Sequence, residues 1–172
     1  MTDARTFEDA FRRVFDDEHS SLYRYLDRLT GDAALAADIA QGAFIRLYER
    51  GAMPDQTRAW LISVSHNLLR DDRRSASRRR RLLERWPEEA PMGGATRRAD
   101  VEVETDELRR SVRVALDAMP ARDRRLLLLR HEGCSYRELA AALDIAETSV
   151  GVLLMRAHDR FARQYTGGRT CT

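Results

Sequence analysis

Cysteine is scarce in this chain of 172 residues: Cys134 and Cys171 are the only two, with no Cys-x-x-Cys pair and no histidine set at metal-ligand spacing. These counts leave no disulfide framework and no zinc site, and both residues read as ordinary thiols. No apolar run approaches the roughly 20 residues that a bilayer-spanning helix requires, so membrane insertion is not expected. The opening MTDARTFEDAF is polar and acidic, unlike a secretory signal, and the expected location is the cytoplasm. A glycine-rich phosphate loop, a Gly-x-Ser-x-Gly elbow and a His-Glu-x-x-His helix are all missing, and the four histidines, at 19, 66, 131 and 158, fall in separate segments. Catalysis is therefore not expected, and no catalytic residue, metal ligand or cofactor is assigned. Lysine does not occur at all.

What the chain does have is charge. Charged residues make up 34% of it and the 30 basic ones are all arginine, yet the net charge is only +2. The sum hides a polarised distribution. Residues 70–85 hold eight arginines against Asp71, Asp72 and Glu84, a local +5, while residues 86–105 hold two arginines against five acids, a local −3. An arginine cluster of that density can neutralise several phosphates, which is the sequence-independent part of nucleic-acid affinity. On charge alone, a solvated helix end accounts for it equally well.

Hydrophobic content of 43% is ample for packed cores, and its period is helical, with no credible strand. Phe7, Phe11, Phe15, Leu22, Leu26 and Leu29 recur at helical spacing, with Thr6 and Asp9 placed as a capping pair. Gly31 ends that helix and Asp32 can cap the next, whose stripe is Leu35, Ile39, Ala43, Phe44 and Leu47, up to Gly51. Met53, Pro54 and Asp55 make a turn. The third helix carries Trp60, Leu61, Val64 and Leu68 on one side and runs into the arginine cluster, so its apolar face ends near residue 70. Trp60, within that stripe, reads as a core side chain rather than a stacking one, the alternative its ring offers. These three helices predict a first domain over residues 1–85.

Residues 86–105 contain Pro87, Pro91, Gly93 and Gly94 with excess acid and no helical period, and read as a flexible linker. A second domain is expected over 106–172. Leu108, Val112, Ala115, Leu116 and Met119 predict a fourth helix, and Pro120 sits in the first turn of a fifth. That fifth helix contains Leu126, Leu127, Leu128 and Leu129. Four consecutive leucines cannot all face one core, so one side is expected to be open to a partner or a second layer. After Gly133, Ser135-Tyr136-Arg137-Glu138 is a capping box opening a short helix with Leu139, Ala140 and Leu143 inward; Asp144 lies in a turn, and a new helix begins near Glu147. Ala140 at the helix crossing, Asp144 in the turn and Val150 facing back fit a DNA-binding helix-turn-helix. A generic helical hairpin has the same outline. The predicted fold is all-α, two small helical domains with the helix-turn-helix in the second.

The motifs Asp38-Ile39-Ala40-Gln41-Gly42-Ala43-Phe44 and Ala59-Trp60-Leu61-Ile62-Ser63-Val64-Ser65-His66-Asn67 are followed by a basic run and a linker. Then come Met119-Pro120 through Arg124 and Glu132-Gly133-Cys134-Ser135-Tyr136-Arg137-Glu138-Leu139-Ala140. In that order, over most of the chain, they resemble the extracytoplasmic-function sigma factors. The resemblance implies a factor that takes core RNA polymerase to promoters. It assigns Asp38, Gln41, Arg46 and Glu49 to the clamp helices of the largest polymerase subunit. It assigns Met53, Asp55, Gln56, Asn67, Arg70, Arg73 and Arg74 to the −10 element, where residues 53–56 would cradle a base turned out of the melted strand and the cations would follow its backbone. The second domain would meet the flap of the second-largest subunit and the −35 element, through Ser135, Tyr136, Arg137, Glu147, Thr148, Ser149, Arg156 and His158. An anti-sigma factor is a further implied partner.

The chain departs from the family at Gly151, Val152 and Leu153, where relatives commonly present Lys or Arg, then Ser, then Arg. Glycine inside a helix costs about 1 kcal/mol relative to alanine, and two apolar residues replace groups that would touch phosphate or base edges. Recognition is left to Glu147, which can accept from cytosine, to the hydroxyls of Thr148 and Ser149, and to Arg156, His158 and Arg160 further on. Leu153, Leu154 and Met155 are expected in the core. A helix-turn-helix repressor or activator, or a module whose leucine-rich helix binds a regulator, would be the alternatives from other classes. Neither requires the Asp38 to Phe44 pattern joined to an arginine-rich helix.

Overall fold

A computed structural model describes residues 2–85 and 103–167, with side chains over 6–78 and 107–166. The described residues form seven α-helices: α1 (Thr2–Thr30), α2 (Ala33–Arg50), α3 (Thr57–Arg85), α4 (Val103–Asp117), α5 (Ala121–His131), α6 (Tyr136–Leu143) and α7 (Glu147–Gly167). They fall into two compact units, Met1–Arg97 and Arg98–Thr172. Most of the expected linker, residues 86–102, lies outside the described residues, as do Cys171 and the side chains of Arg79, Arg80, Arg81 and Arg85. The last three linker residues belong to α4, which begins at Val103.

In the first unit α1 and α3 pack against α2 and against each other. The boundaries follow from local chemistry. Asp32 Oδ1 accepts from the backbone N–H groups of Ala34 and Leu35, at 3.0 Å each, and caps α2. Gly51, at φ 66°, ends it in the left-handed conformation that a side chain resists. The expected Thr6–Asp9 cap is not used: α1 already begins at Thr2, and both residues are exposed within it. The core is Leu22, Tyr25, Leu26 and Leu29 of α1, Ala36, Ile39, Ala40, Ala43, Phe44 and Leu47 of α2, and Ala59, Leu61, Ile62, Ser65, His66 and Leu69 of α3.

The buried face of α3 is therefore not the expected one. Trp60, Val64 and Leu68 are half-buried, while the polar Ser65 and His66 lie inside. Both polar groups are satisfied there. Ser65 Oγ donates to the Leu61 carbonyl at 2.8 Å, and His66 Nε2 is hydrogen-bonded to the Tyr25 hydroxyl at 2.7 Å. Replacing Tyr25 with Phe removes this bond from a site 1% exposed. The expected cost is about 1–2 kcal/mol, seen as a fall of several degrees in the first unit's thermal midpoint by circular dichroism.

In the second unit α7 packs against α4, α5 and α6. Leu126, Leu128 and Leu129 are buried and Leu127 is half-buried, so of the two expected uses for the further side of α5 the structure shows the second layer. The cause is that α5 is covered from two directions, by α6 and by α7. Pro120 caps α5 rather than entering its first turn, and Leu108, expected inside, is 54% exposed. Asp123 of α5 is nearly buried and paired with Arg160 of α7. That ion pair takes Arg160 out of the set of free cations expected along α7.

Candidate functional site

Three surfaces carry the residues singled out from sequence. The first is the outer face of α3. Trp60, Asn67 and Arg74 are seven residues apart, and Arg70 and Arg78 fall on the same side, opposite the buried line of Ile62 and Leu69. Asn67, Arg70, Arg73, Arg74 and Arg78 are all exposed. Arg74 has only a weak surface pairing, to Asp71 at 4.0 Å. Arg73 lies about 100° round the helix from Arg74. Trp60 is not a core side chain: it stands half-buried on the arginine side, with the Arg50 guanidinium 5.8 Å from its ring centre. That contact ties the end of α2 to the start of α3 across the loop. Within the loop Thr57 Oγ1 donates to the Pro54 carbonyl at 2.8 Å, Met53 and Gln56 are half-buried, and Asp55 is exposed. The Gln56 side-chain oxygen is buried without a hydrogen-bond partner.

The second surface is on α2. Asp38, Gln41, Ile45 and Glu49 are exposed and recur every three or four residues along one face; Arg46 is exposed on a neighbouring one. Gln41 and Glu49 border a groove of about 650 Å³ whose walls are largely aromatic, from Phe11, Phe15 and His19 of α1 to Phe44 and Tyr48 of α2. The Phe15 ring meets Phe44 edge-on at 4.9 Å and stacks on His19 at 4.7 Å, and Phe11 meets Tyr48 edge-on at 5.3 Å. Sequence reading passed over this groove. The available signal was Ile45 and Tyr48, large apolar residues off the buried stripe of α2 and 49% and 53% exposed.

The third surface is the helix-turn-helix. Ser135 Oγ accepts from the Glu138 backbone N–H at 3.2 Å while the Glu138 carboxylate accepts from the Ser135 N–H at 2.7 Å, so the capping box is complete. Its hydroxyl also donates to that carboxylate at 2.7 Å, which commits Ser135 to the cap. Asp144 takes a left-handed conformation, φ 53°, and turns the chain into α7. Leu139, Ala142, Val150, Leu154 and Ala157 fill the interface; Ala140 and Leu143, expected inside, are half-buried. Tyr136 and Arg137 are exposed on α6, and the Arg130 guanidinium lies 5.6 Å from the Tyr136 ring centre. On α7, Glu147, Thr148, Ser149, Arg156 and His158 are exposed, Ser149 and Arg156 along one edge and Glu147 and His158 along the other. Met155, expected in the core, is 59% exposed beside Val152 at 48%.

These units coincide with two family matches, Sigma-70 region 2 over residues 14–79 and Sigma-70, region 4 over residues 109–160. The extracytoplasmic-function (ECF) RNA polymerase sigma factor SigL of Mycobacterium tuberculosis is 41% identical over 81 residues, 44% of this chain and 46% of SigL. The ECF sigma factor SigX of Bacillus subtilis is 25% identical over 170 residues, 91% of this chain and 87% of SigX. The chain belongs to the sigma-70 family, in its ECF group. Its match spans about half the length of SigL. The solved sigma factor RpoE of Bartonella quintana, in complex with the anti-sigma factor NepR, superposes with a TM-score of 0.66 over 91% of this chain and 97% of that one, at 17% identity, a likeness of fold.

Region 2 thus holds the α3 and α2 surfaces, and region 4 holds the helix-turn-helix. Gly151 in region 4 is not required by packing. A Cβ there would meet the Tyr136 ring edge at 3.7 Å, an ordinary contact. Gly151→Ala should therefore stabilise the second unit by about 1 kcal/mol, read as a rise of several degrees in its thermal midpoint.

Proposed function

We propose that this ECF-group sigma factor binds core RNA polymerase and directs it to promoters, initiating transcription from the cytoplasm with no catalysis of its own. Residues 1–85 act as region 2, 86–102 as the linker and 103–172 as region 4. The observation that carries the reading is the outer face of α3. Trp60, Asn67 and Arg74 share one line with further arginines, opposite the core, which is the combination a single-stranded −10 segment requires: an aromatic for stacking and cations for phosphates. The adjoining loop, with Met53, Asp55 and Gln56, receives a displaced base, and exposed Asp55 is an acceptor for its edge. Asp38, Gln41, Arg46 and Glu49 dock on the clamp helices. Region 4 takes the flap and the −35 element, and an anti-sigma factor is the expected antagonist.

Binding to core polymerase tests the docking assignment. With Gln41 and Glu49 both changed to Ala, affinity for purified core enzyme, measured by fluorescence anisotropy, should fall roughly tenfold, as for the loss of about 1.4 kcal/mol. Unchanged affinity in a folded variant would move the docking surface elsewhere.

A further inference from the structure

The outward face of α7 is apolar along its centre. Val152 and Met155 stand 48% and 59% exposed, with Thr148 one turn earlier on the same line, while Val150, Leu154 and Ala157 supply the core from the opposite side. The domain therefore does not use Val152 and Met155 for its own packing. Charges of both signs border them: Arg156 is exposed on one edge of α7 and Arg137 on α6, with Glu147 on the other edge of α7 and Asp159 one turn beyond Met155. An apolar strip at the centre of the second helix of a helix-turn-helix, with an arginine on one edge, fits a DNA major groove, whose walls are phosphates and whose floor shows one apolar group, the 5-methyl of thymine. Gly151 strengthens the match. It lies beside Val152 on this face, carries no side chain, and leaves the space where a Cβ would stand with only the Tyr136 ring edge at 3.7 Å, so the helix backbone can approach base edges closely.

We propose that region 4 reads thymine methyl groups, with Val152 and Met155 as specificity-determining residues that contact the 5-methyls of A·T pairs in the −35 element. The inference rests on region 4 being the −35 reader. The residues that seemed to remove base recognition from this helix instead change what it recognises. A side chain that could hydrogen-bond selects a base by its donors and acceptors; this pair selects by the presence of a methyl.

The test uses the full chain with core polymerase. Promoter templates carrying a randomised upstream segment are selected for transcription, and thymines in the winners are then replaced by deoxyuridine, which removes the methyl and keeps every hydrogen-bonding group. Two thymine positions should be enriched in the −35 segment, and each replacement should lower initiation roughly three- to fivefold, the worth of one buried methyl. A Val152→Ser, Met155→Gln double variant should lose the distinction between the two templates. Absence of thymine enrichment, or equal initiation from thymine and deoxyuridine templates, overturns the proposal. So does a double variant impaired equally on both where the unaltered chain distinguishes neither, which would give the face to a protein partner. The deoxyuridine comparison requires no variant to fold. Absence of factor-dependent starts on every template would instead remove the sigma reading itself, so the two failures are distinct.

Discussion

Changing Leu139 to Ala should sharply weaken the contributions of region 4 to −35 and flap binding while leaving the region 2 contacts with polymerase in place. Leu139 is 0% exposed and holds α6 against its neighbours beneath the capping box. Truncation of a buried leucine costs about 2–5 kcal/mol through lost transfer energy and the cavity left behind. A helical unit of this size has a total stability of only about 5 kcal/mol, so the variant unit keeps about 0–3 kcal/mol and is partly unfolded at 37 °C. The units have separate contact clusters, and region 2 keeps its own core. Circular dichroism should show partial loss of helix with a transition remaining from the first unit, and initiation should become much less sensitive to the −35 sequence. Loss of the first unit's thermal transition as well would mean that it depends on the second for its fold.

Replacing Arg70 and Arg74 together with Gln should weaken promoter complexes about ten- to a hundredfold at 0.1–0.2 M salt, with core-polymerase affinity unchanged. Both side chains are exposed on the line of Trp60 and Asn67, and the 4.0 Å pairing of Arg74 with Asp71 is too weak to hold it from phosphate. The diagnostic is the salt dependence. Each phosphate contact removed should reduce the slope of log affinity against log salt by about 0.7 to 0.9, for a total near 1.5. A solvated helix end, the competing account of the same arginines, gives no change in either quantity. Loss of polymerase affinity instead would place these residues on the other interface.

The helix-turn-helix was legible because its signals are local. Ser135 and Glu138 can only satisfy each other across one turn, and Asp144 tolerates the left-handed backbone that the turn requires. The face of α3 was misread because Ser65 and His66 look like surface residues. Their partners, the Leu61 carbonyl and the Tyr25 hydroxyl, are one turn away in one case and on another helix in the other, and hydropathy registers neither. That error put Trp60 inside and so concealed its alignment with Asn67 and Arg74. The groove beside Gln41 was hidden for a different reason. Phe11 and Phe15 continue the helical period of the α1 core, and nothing in their spacing marks where α2 ceases to cover them, leaving Phe15 39% exposed. The four leucines of α5 left a partner and a second layer equally open, and only the tertiary packing of α6 and α7 on that helix decides for the second layer.

Direction of polymerase to promoters by this chain is measured most directly by transcription with purified bacterial core polymerase and the folded protein on fragments of the source genome, followed by sequencing of transcript starts. Starts should appear only when the protein is present and should share a −10-like motif at fixed spacing. Starts that are identical with and without the protein, or factor-dependent starts with no common upstream motif, would contradict it.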